Sequence, residues 1–320
     1  MIFLTGATGL LGSAVAKSLV SRGYKIKAHY RHKHNISALG NWTKATEWVS
    51  GDLLDPGYLN TILADCHTII HCAGKVSFQP HEREEMYEAN VLVTENLVNA
   101  ALATSINRFV HISSVAALGR PRNKKSVSEN QQWEESDLNS YYAKTKHWAE
   151  VEVWRGVAEG LSATILNPSV ILAYHPQFRS SSGLINYALE EHKYYPGGYL
   201  NWVAAEDVVK AILEVLENNQ TVAERYIISA GSVPYKDFFT LLANHLAKRA
   251  PYVEAKFYTM MAAYYLKQIS KLFGKKENLI SKETIKLSRT NIEFDNSKSI
   301  RELRLNYMSL PEAIAQLPRP

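Results

Sequence analysis

The sequence predicts an α/β protein, a doubly wound parallel sheet with a smaller, mainly helical lobe at the C-terminal end. Three observations carry this expectation. Short apolar runs alternate with segments of helical spacing through residues 1–170. A glycine-rich loop, Thr5-Gly6-Ala7-Thr8-Gly9-Leu10-Leu11-Gly12, joins the first run to the first helical segment. The alternation then weakens beyond Pro168.

The strands expected in order are 1–5, 25–30, 47–50, 68–72, 108–113 and 162–167, each rich in Ile, Val, Phe or Leu. Helical spacing occupies 10–22, 56–64, 82–104 and 140–159. Repeated βα units of this kind give parallel strands with helices on both faces. Past Pro168, a loop holds Pro176 and Ser180 to Gly183, and Pro196-Gly197-Gly198 marks a turn before a strand at 199–203. A helix at 205–218 and a strand at 225–229 are expected to rejoin the sheet. From Tyr235 the pattern is mostly helical, with an amphipathic run at 257–273 read as a buried helix of the lobe. Contact with a membrane surface, or a wall for an apolar substrate, is the competing reading of that run.

Composition narrows the function. The 320 residues are 46% hydrophobic and 21% charged, enough for a large core and too long for a disulfide- or metal-stapled module. The net charge of +5 is spread along the chain, so no nucleic-acid partner is expected. The densest basic stretches, Arg120 to Lys125 and Lys275-Lys276, read as solvated loops, with an anionic substrate left open there. Two cysteines, Cys66 and Cys72, are too few for a disulfide framework or a closed zinc site, so no metal is expected and a reducing compartment fits. The segment from Met1 to Thr5 has no basic leader and soon meets Gly6 and Gly9, so a cytoplasmic protein without a transmembrane segment is expected.

Glycines at 6, 9 and 12, between a strand and a helix, permit a tight turn, close approach of backbone to a pyrophosphate, and close helix packing. Arg31 lies nineteen residues beyond Gly12, and no acid occurs between Lys25 and Thr46. An acid near this position would bind the ribose hydroxyls of NAD, whereas an arginine accommodates the 2′-phosphate of NADP. NADP is therefore the expected cofactor, with NAD as the alternative. Asp52 and Leu53 follow the third strand, and Ala73 and Gly74 the fourth, where strand ends would meet that cofactor; ordinary turn chemistry is the competing reading. His71, inside an apolar strand, reads as a core histidine.

Tyr142 and Lys146 stand four residues apart on one helical face. A nearby ammonium favours phenolate, which would bring the tyrosine towards a range where it exchanges protons. Ser113-Ser114 ends the fifth strand, where a hydroxyl points into the ligand crevice and can bind the oxygen that Tyr142 protonates.

Taken in order, Thr5 to Gly12, Gly51-Asp52-Leu53, Asn90 to Leu97, Ser113-Ser114, Tyr142 with Lys146, and Asn167-Pro168-Ser169 resemble the motifs of the extended short-chain dehydrogenase/reductase superfamily. Trp202 to Val209 resembles that superfamily's later strand-to-helix motif. The closest likeness is to its dihydroflavonol-reductase-like and hydroxysteroid-dehydrogenase-like members. The resemblance implies a Rossmann domain over 1–230, with a substrate-side excursion at about 172–200, and a substrate lobe over 231–320. It also implies a catalytic set of Ser114, Tyr142 and Lys146. Gly6, Thr8, Gly9, Leu10, Leu11, Gly12, Arg31, Asp52, Leu53, Ala73, Gly74, Tyr142, Lys146, Pro168 and Ser169 would line the cofactor. In such enzymes the serine orients the carbonyl, the tyrosine is acid and base, and the lysine binds the nicotinamide ribose and lowers the tyrosine pKa. Val115-Ala116 stands where similar dehydratases carry an Asp-Glu pair, so water elimination lacks its acid and base.

The expected function is NADP-dependent reduction of a ketone or aldehyde on a small organic substrate. A nucleotide-sugar epimerase that retains its cofactor is the alternative, and a non-catalytic redox sensor a third. Many similar proteins form homodimers through the helices at 82–104 and 140–159, although those helices could equally do no more than cover the sheet.

Overall fold

The computed structural model describes residues 1–33, 36, 39–121, 125–174, 182–261 and 282–319. The first half follows the expected alternation: β1 (Ile2–Thr5), α1 (Leu10–Ser21), β2 (Ile26–His29), β3 (Glu47–Val49), α2 (Pro56–Ile62) and β4 (Thr68–His71). Then come α3 (Arg83–Tyr87), a π-helical turn at Glu88–Leu92, α4 (Val93–Ala103), β5 (Arg108–Ile112), β6 (Ser126–Val127), α5 (Tyr141–Ala158) and β7 (Ala163–Pro168). Local chemistry sets the starts. Asp55 caps α2 by accepting from the Gly57 amide at 2.8 Å, with Pro56 preset at the first helical position. Ser140 caps α5 by accepting from the Ala143 amide at 3.1 Å, which places Tyr142 in the first turn.

The remaining elements are β8 (Val170–Leu172), α6 (Ser182–Leu189), β9 (Tyr194–Pro196), β10 (Tyr199–Ala204), α7 (Ala205–Glu217), β11 (Glu224–Ile228) and β12 (Gly231–Pro234). They are followed by α8 (Tyr235–His245), β13 (Val253–Ala255), α9 (Lys282–Leu287), β14 (Glu293–Phe294), α10 (Ser297–Glu302) and α11 (Leu310–Ala315).

Seven parallel strands form the main sheet in the order β11-β7-β5-β4-β1-β2-β3. This is the doubly wound Rossmann arrangement, and the order reverses beside β1, where a crevice opens at the carboxyl ends of the strands. Phe3 and Leu4 on β1 are fully buried and face the two separate apolar layers on either side of the sheet. Burial on both faces is why the central strands read as continuous apolar runs instead of alternating ones.

The strand at 225–229 joins the sheet edge as β11, as expected. The one at 199–203 instead centres a second sheet, β12-β10-β8, in which β10 runs parallel to β8 and antiparallel to β12. A third apolar cluster joins Leu172, Ile185, Leu200 and Trp202 to Phe238, Phe239, Leu242 and Ile314. The C-terminal part is largely helical, with β13 and β14 as short additions. Residues 262–273 of the predicted amphipathic run, Lys275-Lys276, and 175–181 of the predicted loop lie outside the described residues. No helix among the described residues is long and apolar enough to cross a membrane.

Candidate active site

At the carboxyl end of β1 the crevice is built from backbone. Gly6 has φ +69°, and a Cβ there would stand 2.7 Å from the Ala73 amide nitrogen. A Cβ on Gly12 would meet the Gly6 carbonyl oxygen at 2.1 Å, so the close packing of α1 against the loop requires glycine. No side chain caps α1, and its first amides face the loop without intrahelical acceptors. Such a helix start suits a pyrophosphate. Thr8, Leu10 and Leu11 are buried around it.

Beside the glycine loop, at the carboxyl ends of β2 and β3, Arg31, Tyr30, Asp52 and Leu53 line a cavity of about 510 Å³ together with Ala89 and Val93. Arg31 and Asp52 are both exposed at its rim. Asp52 turns one carboxylate oxygen back to the Leu54 amide at 2.9 Å, so turn chemistry and cavity lining coexist there. The residues present therefore fit an adenosine half that continues to the glycine loop.

His71 is a core histidine, as expected. Its Nδ1 lies 2.7 Å from Thr5 Oγ1 and its Nε2 3.0 Å from Thr94 Oγ1. Burial pushes it down to about 3, so it stays neutral. Thr5 also accepts from the Ala73 amide at 3.1 Å, which fixes the turn into Gly74. The π-helical turn aims Asn90 inward, where its Nδ2 donates to the Lys75 carbonyl and to Thr145, both at 2.9 Å, and its Oδ1 accepts from the Lys75 amide at 2.7 Å. This one side chain ties the loop after β4 to α5.

In the turn after β4, a Cβ on Gly74 would lie 4.0 Å from Lys146 Nζ. Lys146 is 4% exposed and donates to the Ile112 carbonyl at 2.8 Å. Burial lowers it to about 8, opposed chiefly by the charge of Glu150. Burial raises the Tyr142 phenol above the ordinary tyrosine range, against the opposing effects of a Ser114 hydrogen bond and the Arg120 charge. The structure thus brings Ser114 and Tyr142 together, with Lys146 one helical turn below. It differs from the sequence expectation in one respect: the cation acting on Tyr142 is Arg120, and Lys146 is turned towards Ile112 and Gly74. Pro168 ends β7, and Ser169 presents a buried hydroxyl without a partner among the described residues, suited to a carboxamide.

Sequence reasoning missed Glu150. This 1% exposed residue, one turn beyond Lys146, accepts from Ser113 Oγ, from Asn167 Nδ2 at 2.6 Å and from Arg225 Nη1 at 3.0 Å. Asn167 Nδ2 also donates to the Ser114 carbonyl at 2.8 Å. The carboxylate therefore ties the carboxyl ends of β5 and β7 to the start of β11. The spacing Tyr142, Lys146, Glu150 was the available signal, since all three repeat every four residues on one helical face. Arg120, expected in a solvated loop, is instead half-buried; Arg122 to Lys124 lie outside the described residues. Burial also raises Cys66 to about 11 and Cys72 to about 12, which leaves both as inert thiols.

Comparisons with known proteins agree with this geometry. The model of the NAD dependent epimerase/dehydratase family matches residues 2–231. Sterol demethylase protein B of Methylococcus capsulatus is 27% identical over 319 residues, 98% of this chain and 95% of that protein. Cinnamoyl-CoA reductase CAD2 of Medicago truncatula is 25% identical over 236 residues, 68% of this chain and 72% of that protein. The crystal structure of gox2253 superposes with a TM-score of 0.82 at 28% identity, covering 99% of this chain and 96% of that one. The glycine cradle, the seven-stranded parallel sheet and the family match agree: this chain belongs to the NAD dependent epimerase/dehydratase family, within the NAD(P)-dependent enzymes of the extended short-chain dehydrogenase/reductase superfamily.

Proposed function

We propose that the chain is an NADP-dependent oxidoreductase that reduces a ketone or aldehyde of a small, fairly apolar substrate. The observation that carries this reading is the Tyr142 phenol in hydrogen-bond contact with the Ser114 hydroxyl, one helical turn from the buried Lys146. When bound, the reduced cofactor supplies the hydride. Ser114 and Tyr142 hold the substrate oxygen by hydrogen bonds, and Tyr142 delivers its proton to that oxygen as charge builds there. Lys146 is positioned to bind the nicotinamide ribose beside Gly74, and Ser169 to bind the carboxamide. Arg31 supports NADP over NAD because it is a cation at the rim of the adenosine cavity. The reductase name of the Medicago relative points the same way.

Replacing Tyr142 with Phe should reduce carbonyl turnover by about 10²-fold or more, with NADPH affinity retained in a fluorescence titration. Retained turnover refutes the assignment. An epimerase using the same residues would show product without net cofactor oxidation, so product analysis separates the two readings.

The half-exposed apolar face of Tyr87, Trp148 and Val151 on α3 and α5 supports a homodimer formed through these helices. Sedimentation of the wild type and Trp148→Glu tests it: dimer in the first and monomer in the second is expected, and a wild-type monomer refutes it.

A further inference from the structure

Among the described residues, Arg120 carries a buried guanidinium nitrogen, Nη1, without a hydrogen-bond partner. The chain leaves Ser114 through a 3-10 turn at Val115–Leu118, reverses at Gly119 with φ +76°, and returns to the start of α5, where the Arg120 amide donates to Asn139 Oδ1 at 2.9 Å. Asn139 Nδ2 in turn donates to the Glu134 carbonyl at 2.8 Å, so this turn is held on both sides. The guanidinium acts on the Tyr142 phenol and on the Tyr235 phenol at the start of α8. It therefore sits between the proton donor and the C-terminal part, on elements that contribute nothing to the phosphate cradle. Its Nη1 is buried and has no hydrogen-bond partner, and no carboxylate pairs with it among the described residues.

Native proteins rarely strand a buried guanidinium donor, because its lost hydration is costly unless an acceptor replaces it. A fork of N–H donors matches a carboxylate in two-point geometry. The nearby wall is apolar: the Phe78 ring lies edge-on to Tyr142 with centroids 6.4 Å apart, and Trp133 packs over Gly119. We propose that Arg120 binds a carboxylate of the substrate, close to the carbonyl that Tyr142 protonates, so that the enzyme prefers apolar keto- or hydroxy-acids over their neutral counterparts. This rests on the reading of Tyr142 as the proton donor, and it identifies the substrate class of that same site.

The test is a binding measurement that needs no turnover. Cofactor-saturated protein is titrated calorimetrically with phenylacetate, 3-phenylpropanoate and 4-phenylbutanoate, and with the three corresponding amides. At least one acid is expected to bind ten-fold or more tightly than its amide. Arg120→Gln should abolish that preference, and Arg120→Lys should keep only part of it. Both variants should keep wild-type NADPH affinity, which reports that they fold. If Arg120→Gln does not fold, the wild type and Arg120→Lys decide, with an undiminished preference in the lysine variant counting against the proposal. Absence of acid preference in the wild type overturns it, as does a preference that survives in Arg120→Gln, or an equal loss for acids and amides. Carbonyl turnover is scored separately with Tyr142→Phe, so acid binding without reduction would sink the reductase reading and leave the carboxylate site standing.

Discussion

Replacing Glu150 with Ala tests whether β5, β7 and the edge strand β11 are tied together by one buried carboxylate. The side chain is 2% exposed and its partner Arg225 18% exposed, so neither is screened as a surface pair would be. Truncation leaves three donors without their acceptor: the Ser113 hydroxyl, one proton of the Asn167 amide, and one nitrogen of Arg225. Arg225 keeps the Glu129 carbonyl, and Asn167 keeps the Ser114 carbonyl, so the damage is partial at both. Removing one partner of a buried ion pair typically costs about 3–5 kcal/mol. With an unfolding entropy of about 2.1 cal/mol/K per residue, a chain of 320 residues loses about 4–7 °C of Tm for that cost. Differential scanning calorimetry at neutral pH reads it directly. A variant melting within about 1 °C of the wild type would refute the argument, because at that entropy the deficit would be below about 1 kcal/mol.

Other outcomes follow from the same geometry. Arg31→Ala should weaken NADPH binding by about ten-fold or more while changing NADH binding little, since a charge-assisted bond to phosphate contributes about 1.5–3 kcal/mol; equal losses for the two cofactors, measured at fixed salt, would remove Arg31 from the phosphate site. Burial holds Lys146 near 8, so reductive kcat/KM should fall as pH rises through that value and the ammonium is lost. Because the Glu150 charge raises Lys146, Glu150→Gln should move this limb to lower pH, and a pH profile with an unmoved limb would show that another group titrates.

Much of this site was legible in the one-dimensional pattern, for identifiable reasons. The glycine loop is readable because a Cβ at Gly6 or Gly12 would collide with backbone, a constraint local to a few residues. Tyr142 and Lys146 are readable because helical spacing alone puts them on one face. The central strands are readable because burial on both faces leaves unbroken apolar runs. β8 and β12 were not legible: they are three and four residues long, neither is uniformly buried, and each exists only by pairing with β10. Arg120 read as solvated because its neighbours in sequence are basic and polar, while its neighbours in space, Tyr142 and Tyr235, are 22 and 115 positions away.

The sequence by itself determined the alternation of the main-sheet strands with their helices and the position of the glycine loop, and it singled out the residues proposed to hold a cofactor and exchange a proton. These depend on periodicity, glycine sterics and helix starts, which act over a turn or two of chain. Only the tertiary structure decided which charge acts on the tyrosine, that Glu150 joins three strands, and that β10 centres a second sheet. Electrostatic partnership and desolvation depend on separation in space and on the surrounding medium, and neither is carried by spacing along the chain.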